Sequence, residues 1–296
     1  MDDALALLLA WGSPELRVLA LTVVAGNAAL ADTVRNAGRL VAVRRPLRPP
    51  RIVPGAASPL RRPLVTATHY HGEDGLGDVA DWPAVAPPPA SPSAAEMLVA
   101  FARIHAERLT LVALGPLTNV ALAVREDAES MRRIGRVVVM GGAVDVPGNV
   151  TPDAEFNAHV DPDAAREVFD AGLRIDLVPL DATRQAAITR KRFMVVLGPR
   201  PHPREGPSGL LARRIAALTE QAFAREGPRG MHLHDPLAVG LAVDATLATW
   251  EPVRIAVGDG GETRRTPGPA NCRVARVVDT DRFIDFFLER LCPASS

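Results

Sequence analysis

Short apolar runs rich in Val, Ile and Leu alternate along the chain with longer stretches in which apolar residues recur every three or four positions. The short runs predict buried β-strands at 16–24, 109–114, 136–140, 175–180 and 253–257. The longer stretches predict helices at 94–105, 119–125 and 162–171. Because strands and helices that alternate in this way build βαβ units, the sequence predicts an α/β fold with an open, mostly parallel central sheet flanked by helices. Ligands bind such sheets at the carboxyl ends of the strands.

Two adjacent carboxylates, Asp2 and Asp3, stand at the beginning of an apolar helical stretch. Paired carboxylates in this position can bind a hard cation such as Ca²⁺. Since Ca²⁺ takes about 6–8 oxygen ligands, the remaining ligands have to come from elsewhere in the chain. A simpler alternative is that the pair only caps the helix, and the local sequence on its own favours that alternative because Asp is strongly preferred at helix N-termini.

Other polar residues interrupt apolar surroundings where a strand ends or a helix begins. His234 and Asp235 precede Pro236 at a predicted helix start, which brings a titratable ring next to a carboxylate. Asp235 could alternatively cap this helix, with Pro236 in the first helical position. Gly141 and Gly142 follow a predicted strand and indicate a loop with an open backbone at its carboxyl end.

Seven short segments occur in the order and spacing of the inosine-uridine preferring nucleoside hydrolase family, which the chain resembles over essentially its whole length. They are 2–6 (DDALA), 24–27 (VAGN), 71–77 (HGEDGLG), 114–119 (LGPLTN), 140–142 (MGG), 155–157 (EFN) and 234–236 (HDP). The resemblance implies a Rossmann-like nucleoside hydrolase architecture in which residues 1–296 form a single domain. It further implies hydrolysis of the N-glycosidic bond of ribonucleosides to ribose and free nucleobase, by a homodimer or homotetramer.

The resemblance also implies roles for individual residues. Asp3, Asp235 and the backbone carbonyl of Leu114 would hold Ca²⁺, which binds the attacking water, and His234 would assist the departing base. Asp2 would accept a hydrogen bond from the ribose 2′ hydroxyl. The residues expected to contact the nucleoside are Asp2, Asn27, His71, Met140, Asn149, Glu155 and Asn157, of which Asn149 and Glu155 would hold the 5′ hydroxyl.

Several of these residues have simpler interpretations from local sequence alone. Asn27 could be a turn residue, Asn119 a helix cap and Glu155 a solvated surface charge. His69 and His71 lie close enough in sequence to suggest a transition metal, but no further ligand at helical spacing supports one.

The beginning of the chain departs from the family pattern. Family members begin with a strand that ends in Asp-x-Asp-Pro-Gly shortly before the aspartate pair, whereas here Met1 directly precedes Asp2. The first strand and its metal-binding aspartate, which is the family's general base, therefore have no counterpart. We expect a misplaced start, with a truncated remnant as the alternative. If the chain as written is active, Asp2 is the nearest substitute for the base.

Three functions remain open on these grounds. The leading hypothesis is a Ca²⁺-dependent ribonucleoside hydrolase. The strongest competitor is a catalytically weakened or inactive relative that binds ribose or nucleosides, because the first aspartate is absent. A metal phosphohydrolase using Asp2 and Asp3 fits poorly, since the sequence offers no basic cluster or Gly-rich cradle for phosphate.

Composition restricts the partners and the location. Lys plus Arg and Asp plus Glu number 34 each in 296 residues, so no net charge attracts nucleic acid or an anionic membrane, and the basic run 44–51 is expected to be a solvated loop. The apolar run 4–11 is too short to cross a bilayer and no signal peptide precedes it, so we expect a cytoplasmic protein. Two cysteines, Cys272 and Cys292, are expected to be reduced and structural.

Three segments and one aromatic residue bear on the substrate. The segments 81–93, 199–209 and 225–229 are expected to be surface loops or flaps over the site. The single tyrosine, Tyr70, leaves few aromatic rings to stack on a purine. The base preference therefore stays open.

Overall fold

Strands and helices alternate through most of the chain in the computed structural model, which describes residues 1–197, 207–226 and 230–291. The strands are β1 Ala20–Val23, β2 Arg51–Pro54, β3 Thr110–Ala113, β4 Arg136–Met140, β5 Ile175–Val178, β6 Ala187–Ile188, β7 Met231–His232, β8 Ala248–Val253, β9 Ile255–Val257, β10 Thr263–Arg265 and β11 Cys272–Val278. The helices are α1 Asp2–Gly12, α2 Leu30–Arg44, α3 Thr68–His71, α4 Ala94–His105, α5 Thr118–Arg132, α6 Phe156–Val160, α7 Pro162–Asp170, α8 Leu180–Thr183, α9 Arg190–Leu197, α10 Pro207–Glu226, α11 His234–Val243 and α12 Thr280–Leu291.

The central sheet has the strand order β3-β4-β5-β11-β8 and is parallel except for β8. In its middle, Val137 of β4 lies opposite Leu111 of β3 and Ile175 of β5. All four residues of β5 are buried, as expected for a strand that helices cover on both faces. The predicted α/β fold with a mostly parallel central sheet is thus confirmed.

Four of the five predicted strands have different bounds in the structure, although the predictions 109–114 and 175–180 exceed β3 and β5 by only one or two residues at an end. The run 16–24 contributes only Ala20–Val23, because the strand extends only as far as its parallel partner β2. The run 253–257 is divided at Arg254, where β8 ends and β9 begins, and β9 pairs with β10 in a separate hairpin. The pair β1-β2 also forms a sheet of its own, so β1 and β3 are both edge strands among the described residues.

Asn119 links the β1-β2 pair to the rest of the molecule. Its side-chain amide donates to the carbonyl of Val23 at 3.1 Å and accepts from the backbone N–H of Ala56 at 2.8 Å. The interpretation of Asn119 as a helix cap is therefore wrong. Its side chain turns away from its own helix because these two backbone groups need partners.

Helix α1 is buried on most of its surface, which explains why its sequence is apolar all round. It packs against α11 and α12, and Leu5, Leu8 and Leu9 are at most 1% exposed. At its end a Cβ on Gly12 would lie 2.0 Å from the carbonyl oxygen of Arg290, so only glycine permits this approach to α12. The packing fixes the position of the two aspartates that begin the helix.

The remaining expectations concern loops and cysteines. Segment 81–93 is irregular and largely exposed, as expected, whereas most of 199–209 and of 225–229 lies outside the described residues. Cys272 is buried and free, and Cys292 also lies outside the described residues. Within the described ranges, the helices are too short or too polar to cross a membrane.

Candidate active site

A cavity of about 320 Å³ opens where the carboxyl ends of β3, β4 and β5 meet the beginnings of α1 and α11. It has the size of a pocket for a small molecule. Predicted site residues that line it are Asp2, Asn27, His71, Leu114, Met140, Asn149, Glu155, Asn157, His234 and Asp235. Asp3, the remaining predicted residue, lies beside the cavity, where its Oδ2 accepts a hydrogen bond from Nδ2 of Asn27 at 3.2 Å. The structure thus brings the predicted residues together.

Three carboxylates meet beside this cavity. Asp2, Asp3 and Asp235 each offer an oxygen within 4.8 Å of the others. They come together because α1 and α11, whose first residues carry them, pack against each other. No aspartate side chain caps α1, whose cap residue is Met1, and Leu233 rather than Asp235 precedes α11. Helix capping therefore does not explain the cluster.

The cluster is electrostatically unfavourable without a cation. Burial raises the pKa of Asp235 well above its usual value, and the charges of Asp2 and Asp3 raise it further. The pKa of Asp3 is also raised. The main cause is that the surrounding protein reduces the hydration of its carboxylate, although the side chain is still partly exposed, and the charge of Asp2 raises the pKa further. A bound cation would relieve this repulsion.

The backbone nitrogen of Met1 lies beside the cluster. It lies 3.8 Å from Asp2 Oδ1 and 3.7 Å from Asp3 Oδ2, and 3.1 Å from Nδ1 of His71. Burial lowers the pKa of His71 to about 2. His71 is therefore neutral, and its Nδ1 can accept a hydrogen bond from the Met1 nitrogen.

The donor set fits a hard divalent cation. Three carboxylates and the carbonyl of Leu114 offer only oxygen, which suits Ca²⁺ or Mg²⁺ rather than Zn²⁺. The Leu114 carbonyl accepts a hydrogen bond from Nδ2 of Asn157 at 3.0 Å, which leaves its second lone pair for a ligand. Among the described residues, no cluster of three or more potential ligands includes a histidine, so the pair formed by His69 and His71 gains no support as a metal site.

Glu155 is buried, so its interpretation as a solvated surface charge is wrong. It is 2% exposed and caps α6 by accepting from the backbone N–H groups of Asn157 at 2.9 Å and Ala158 at 3.2 Å. It also accepts from the N–H of Gly142 at 2.9 Å. Burial raises its pKa, while these three hydrogen bonds oppose the rise. Gly142 has a φ of +79°, and a Cβ there would lie 2.8 Å from Oγ1 of Thr263, so this loop requires glycine.

Asparagine side chains lie around the carboxylates. The Asn157 amide bonds the carbonyls of Leu114 and Met140, at 3.0 and 3.2 Å, and thereby joins the ends of β3 and β4. Oδ1 of Asn149 accepts from the backbone N–H of Phe156 at 2.9 Å. Together with Asn27, these amides present donors and acceptors that suit the hydroxyl groups of a sugar.

Sequence reasoning missed two residues of the site. Thr183 ends α8, and its Oγ1 lies 2.7 Å from Nδ1 of His234. Arg184 lines the cavity and donates to the carbonyls of Pro147 and Gly148 at 2.7 and 2.8 Å, directly before Asn149. Both residues follow the end of β5, so the rule that ligands bind at strand ends would have found them.

An acidic cluster and a group of amides in one cavity, at the carboxyl edge of a parallel sheet, define an α/β enzyme with a small polar substrate. The chain belongs to the inosine-uridine preferring nucleoside hydrolase family, whose model matches residues 1–285, and it is by this membership a nucleoside hydrolase. The resemblance found in the sequence is thus confirmed.

Individual relatives agree with this membership. The chain is 35% identical to the pyrimidine-specific ribonucleoside hydrolase RihA of Salmonella typhimurium, over 98% of this chain and 94% of that protein. It is also 35% identical to an inosine-uridine preferring nucleoside hydrolase of Leishmania major, over 96% of this chain and 91% of that protein. A purine-preferring ribonucleoside hydrolase from Gardnerella vaginalis has a similar structure, with a TM-score of 0.87, 29% identity and coverage of 98% and 95%.

Proposed function

We propose that this protein hydrolyses the N-glycosidic bond of ribonucleosides to ribose and free base, using a water bound to Ca²⁺. The observation that carries the proposal is the cluster of Asp2, Asp3 and Asp235 beside a cavity whose walls carry amide groups. Carboxylate oxygens are the ligands that Ca²⁺ prefers, and amides suit the hydroxyl groups of ribose.

The roles that we propose for the residues are those that the family resemblance implies, and the positions of the residues support them. Asp3, Asp235 and the carbonyl of Leu114 would hold Ca²⁺, which would acidify a bound water and bind vicinal hydroxyl groups of the sugar. Asp2 would accept a hydrogen bond from the 2′ hydroxyl, and it would also act as the base that takes the proton of the attacking water. As the water oxygen bonds to C1′, the bond from C1′ to the base nitrogen breaks and its electron pair leaves with the base. His234 would donate a proton to that base.

Release of free base tests the proposal most simply. Inosine and uridine are incubated with the protein in Ca²⁺ and in an excess of a Ca²⁺ chelator, and free base is quantified by chromatography. We expect release in Ca²⁺, loss of release in chelator, and recovery when Ca²⁺ is restored. Equal rates in the two conditions would contradict the metal-dependent mechanism.

A second candidate is a protein that binds ribose or nucleosides without hydrolysing them. The observation that favours it is the burial of Asp235, which raises the pKa of this carboxyl group well above its usual value, because a protonated carboxyl group is a poor ligand for a cation. Equilibrium dialysis with labelled uridine separates the candidates. Retention of intact uridine without release of uracil, at any Ca²⁺ concentration, would support the binder.

Ca²⁺ should stabilise the protein more strongly as the pH rises. The raised pKa values of Asp3 and Asp235 give the metal-free folded state a contribution to stability that is present at low pH and is lost as the pH rises through these values. Protons therefore compete with Ca²⁺ at low pH. At a Ca²⁺ concentration of about 100 times Kd, we expect Tm to rise by about 5 °C at about pH 8 and by much less at about pH 5.

Asp3→Asn separates this effect from general stabilisation by salt. Removing one of three repelling charges should raise the Tm of the metal-free protein and should abolish most of the response to Ca²⁺. Asp170→Asn is the matched control, since this side chain is 60% exposed, pairs with Arg254 and is not part of the cluster, and it should keep the full response. A response to Ca²⁺ that is as large in Asp3→Asn as in the parent would mean that the ion binds elsewhere.

Asn149→Ala should raise KM and lower kcat for uridine, because contacts to the 5′ hydroxyl position the sugar at a distance from the reacting carbon. We expect about a tenfold loss in kcat/KM, equivalent to about 1.4 kcal/mol. A 5′-deoxynucleoside should be a poor substrate for the parent and insensitive to the substitution. The same tenfold loss with this analogue would contradict a contact to the 5′ hydroxyl. Glu155→Gln is less suitable as a test, since the carboxylate accepts three backbone hydrogen bonds that an amide cannot reproduce.

A further inference from the structure

The side chain of Thr183 is completely buried, and the next residue, Arg184, lines the cavity. Short helix α8 carries it, and the backbone N–H of Thr183 is bonded to the carbonyl of Pro179 at 3.0 Å. Its hydroxyl oxygen lies 2.7 Å from Nδ1 of His234, a residue 51 positions away in sequence. This is the side-chain hydrogen bond that the structure shows for Thr183 among the described residues. A buried hydroxyl that lost it would be left unsatisfied at a cost in free energy.

The contacts of His234 explain why this hydrogen bond matters. Its ring stacks on that of His232, with centroids 5.5 Å apart and an angle of 19° between the planes. Stacking limits the tilt of an imidazole but leaves two orientations related by a half-turn, in which a ring nitrogen and a ring carbon exchange positions. A hydrogen bond to Nδ1 distinguishes the two orientations, because a ring carbon cannot replace the nitrogen.

We propose that Thr183 is a positioning residue that holds the imidazole of His234 through Nδ1 and so directs Nε2 towards the departing base. The inference rests on the proposed function, since it presumes that His234 assists base departure. A hydroxyl oxygen suits the task because Nδ1 carries a hydrogen both in the protonated ring and in the neutral ring that remains when Nε2 gives its proton to the base, so Thr183 Oγ1 accepts from Nδ1–H in both states. The orientation therefore persists while the ring gives up a proton and takes it back.

The test compares substitutions that keep or remove the hydroxyl. Thr183→Val keeps the shape and removes the hydrogen bond, whereas Thr183→Ser keeps the hydroxyl. With inosine we expect Thr183→Val to lower kcat by about 10- to 100-fold, part of the 10²–10⁴ typical of general acid assistance, and to leave KM within about twofold. Thr183→Ser should remain within about threefold of the parent. A 4-nitrophenyl riboside, whose leaving group needs little protonation, should be nearly unaffected by either substitution.

The outcomes separate this inference from the proposed function. Equal losses on inosine and on the aryl riboside, or a Thr183→Ser variant as impaired as Thr183→Val, would overturn the positioning role. If Thr183→Val does not fold, Thr183→Ala replaces it in the comparison with the same expected substrate dependence. His234→Ala is measured in parallel. If His234→Ala reduces the rates with inosine and with the aryl riboside equally, the acid role of His234 fails and the inference fails with it. If His234→Ala reduces only the rate with inosine and Thr183→Val does not, the acid role stands and only the role of Thr183 is overturned.

Discussion

Replacing Asp235 with asparagine should lower kcat/KM for inosine and uridine by about 10³ or more, equivalent to about 4 kcal/mol of transition-state stabilisation. Asp235 is 4% exposed and offers an oxygen to the same cluster as Asp2 and Asp3. An amide at this position keeps the shape and loses the charge that a divalent cation needs. Steady-state rates at several Ca²⁺ concentrations measure the effect, and added Ca²⁺ should restore only part of the loss.

Asp259→Asn is the matched control for this prediction, because the Asp259 side chain is fully exposed and pairs with Arg166 on the surface. It should retain the parent activity. The melting temperature of metal-free Asp235→Asn should equal or exceed that of the parent, since the substitution removes a buried charge from a repelling group. An active Asp235→Asn variant with an unchanged Ca²⁺ requirement would show that Asp235 is not a metal ligand.

His234→Ala should lower kcat for inosine by about 10²–10⁴, the usual contribution of general acid assistance, with a smaller effect on KM. The sugar is expected to be held by the cation and the asparagines, so removal of the ring affects departure of the base more than binding. The measurement is a comparison of inosine with 4-nitrophenyl riboside. The aryl riboside should be nearly spared because its leaving group is already stable as an anion.

His105→Ala is a suitable control for the histidine substitution. His105 lies at the end of α4, where its ring contacts Phe101, and it does not line the cavity. It should leave both substrates unaffected. If His234→Ala loses the same factor with inosine and with the aryl riboside, the ring does not protonate the base.

The sequence predicted elements well where local interactions determine them. Helix α4 spans the predicted residues, and its beginning is determined locally because Ser93 and Glu96 form reciprocal capping hydrogen bonds there. Strand β4 also matches the predicted bounds, since a β-branched run that is buried on both faces has few alternatives. The ends of β1 and β9 could not be predicted from local sequence, because their partners β2 and β10 determine them.

The site was predictable to the extent that its residues follow strand ends and match family segments. The grouping of Asp2, Asp3 and Asp235 depends on the packing of α1 against α11, which the family resemblance indicated and periodicity could not. The contact of Thr183 with His234 was not predictable, because the two residues are 51 positions apart in sequence, and neither was the hydrogen bond that Glu155 accepts from Gly142 in another loop. The local sequence of Thr183 and of Glu155 resembles that of ordinary turn and surface residues.

The position of the bound cation tests the account most directly. A crystal structure of the protein with Ca²⁺ and ribose should contain a single strong anomalous peak within about 2.3–2.6 Å of carboxylate oxygens of Asp3 and Asp235 and of the Leu114 carbonyl. The ribose 2′ and 3′ hydroxyls should complete its coordination, with Asp2 accepting from the 2′ hydroxyl. A Ca²⁺ ion bound outside this cluster, or ribose bound in the cavity without a cation at saturating Ca²⁺, would contradict the proposed mechanism.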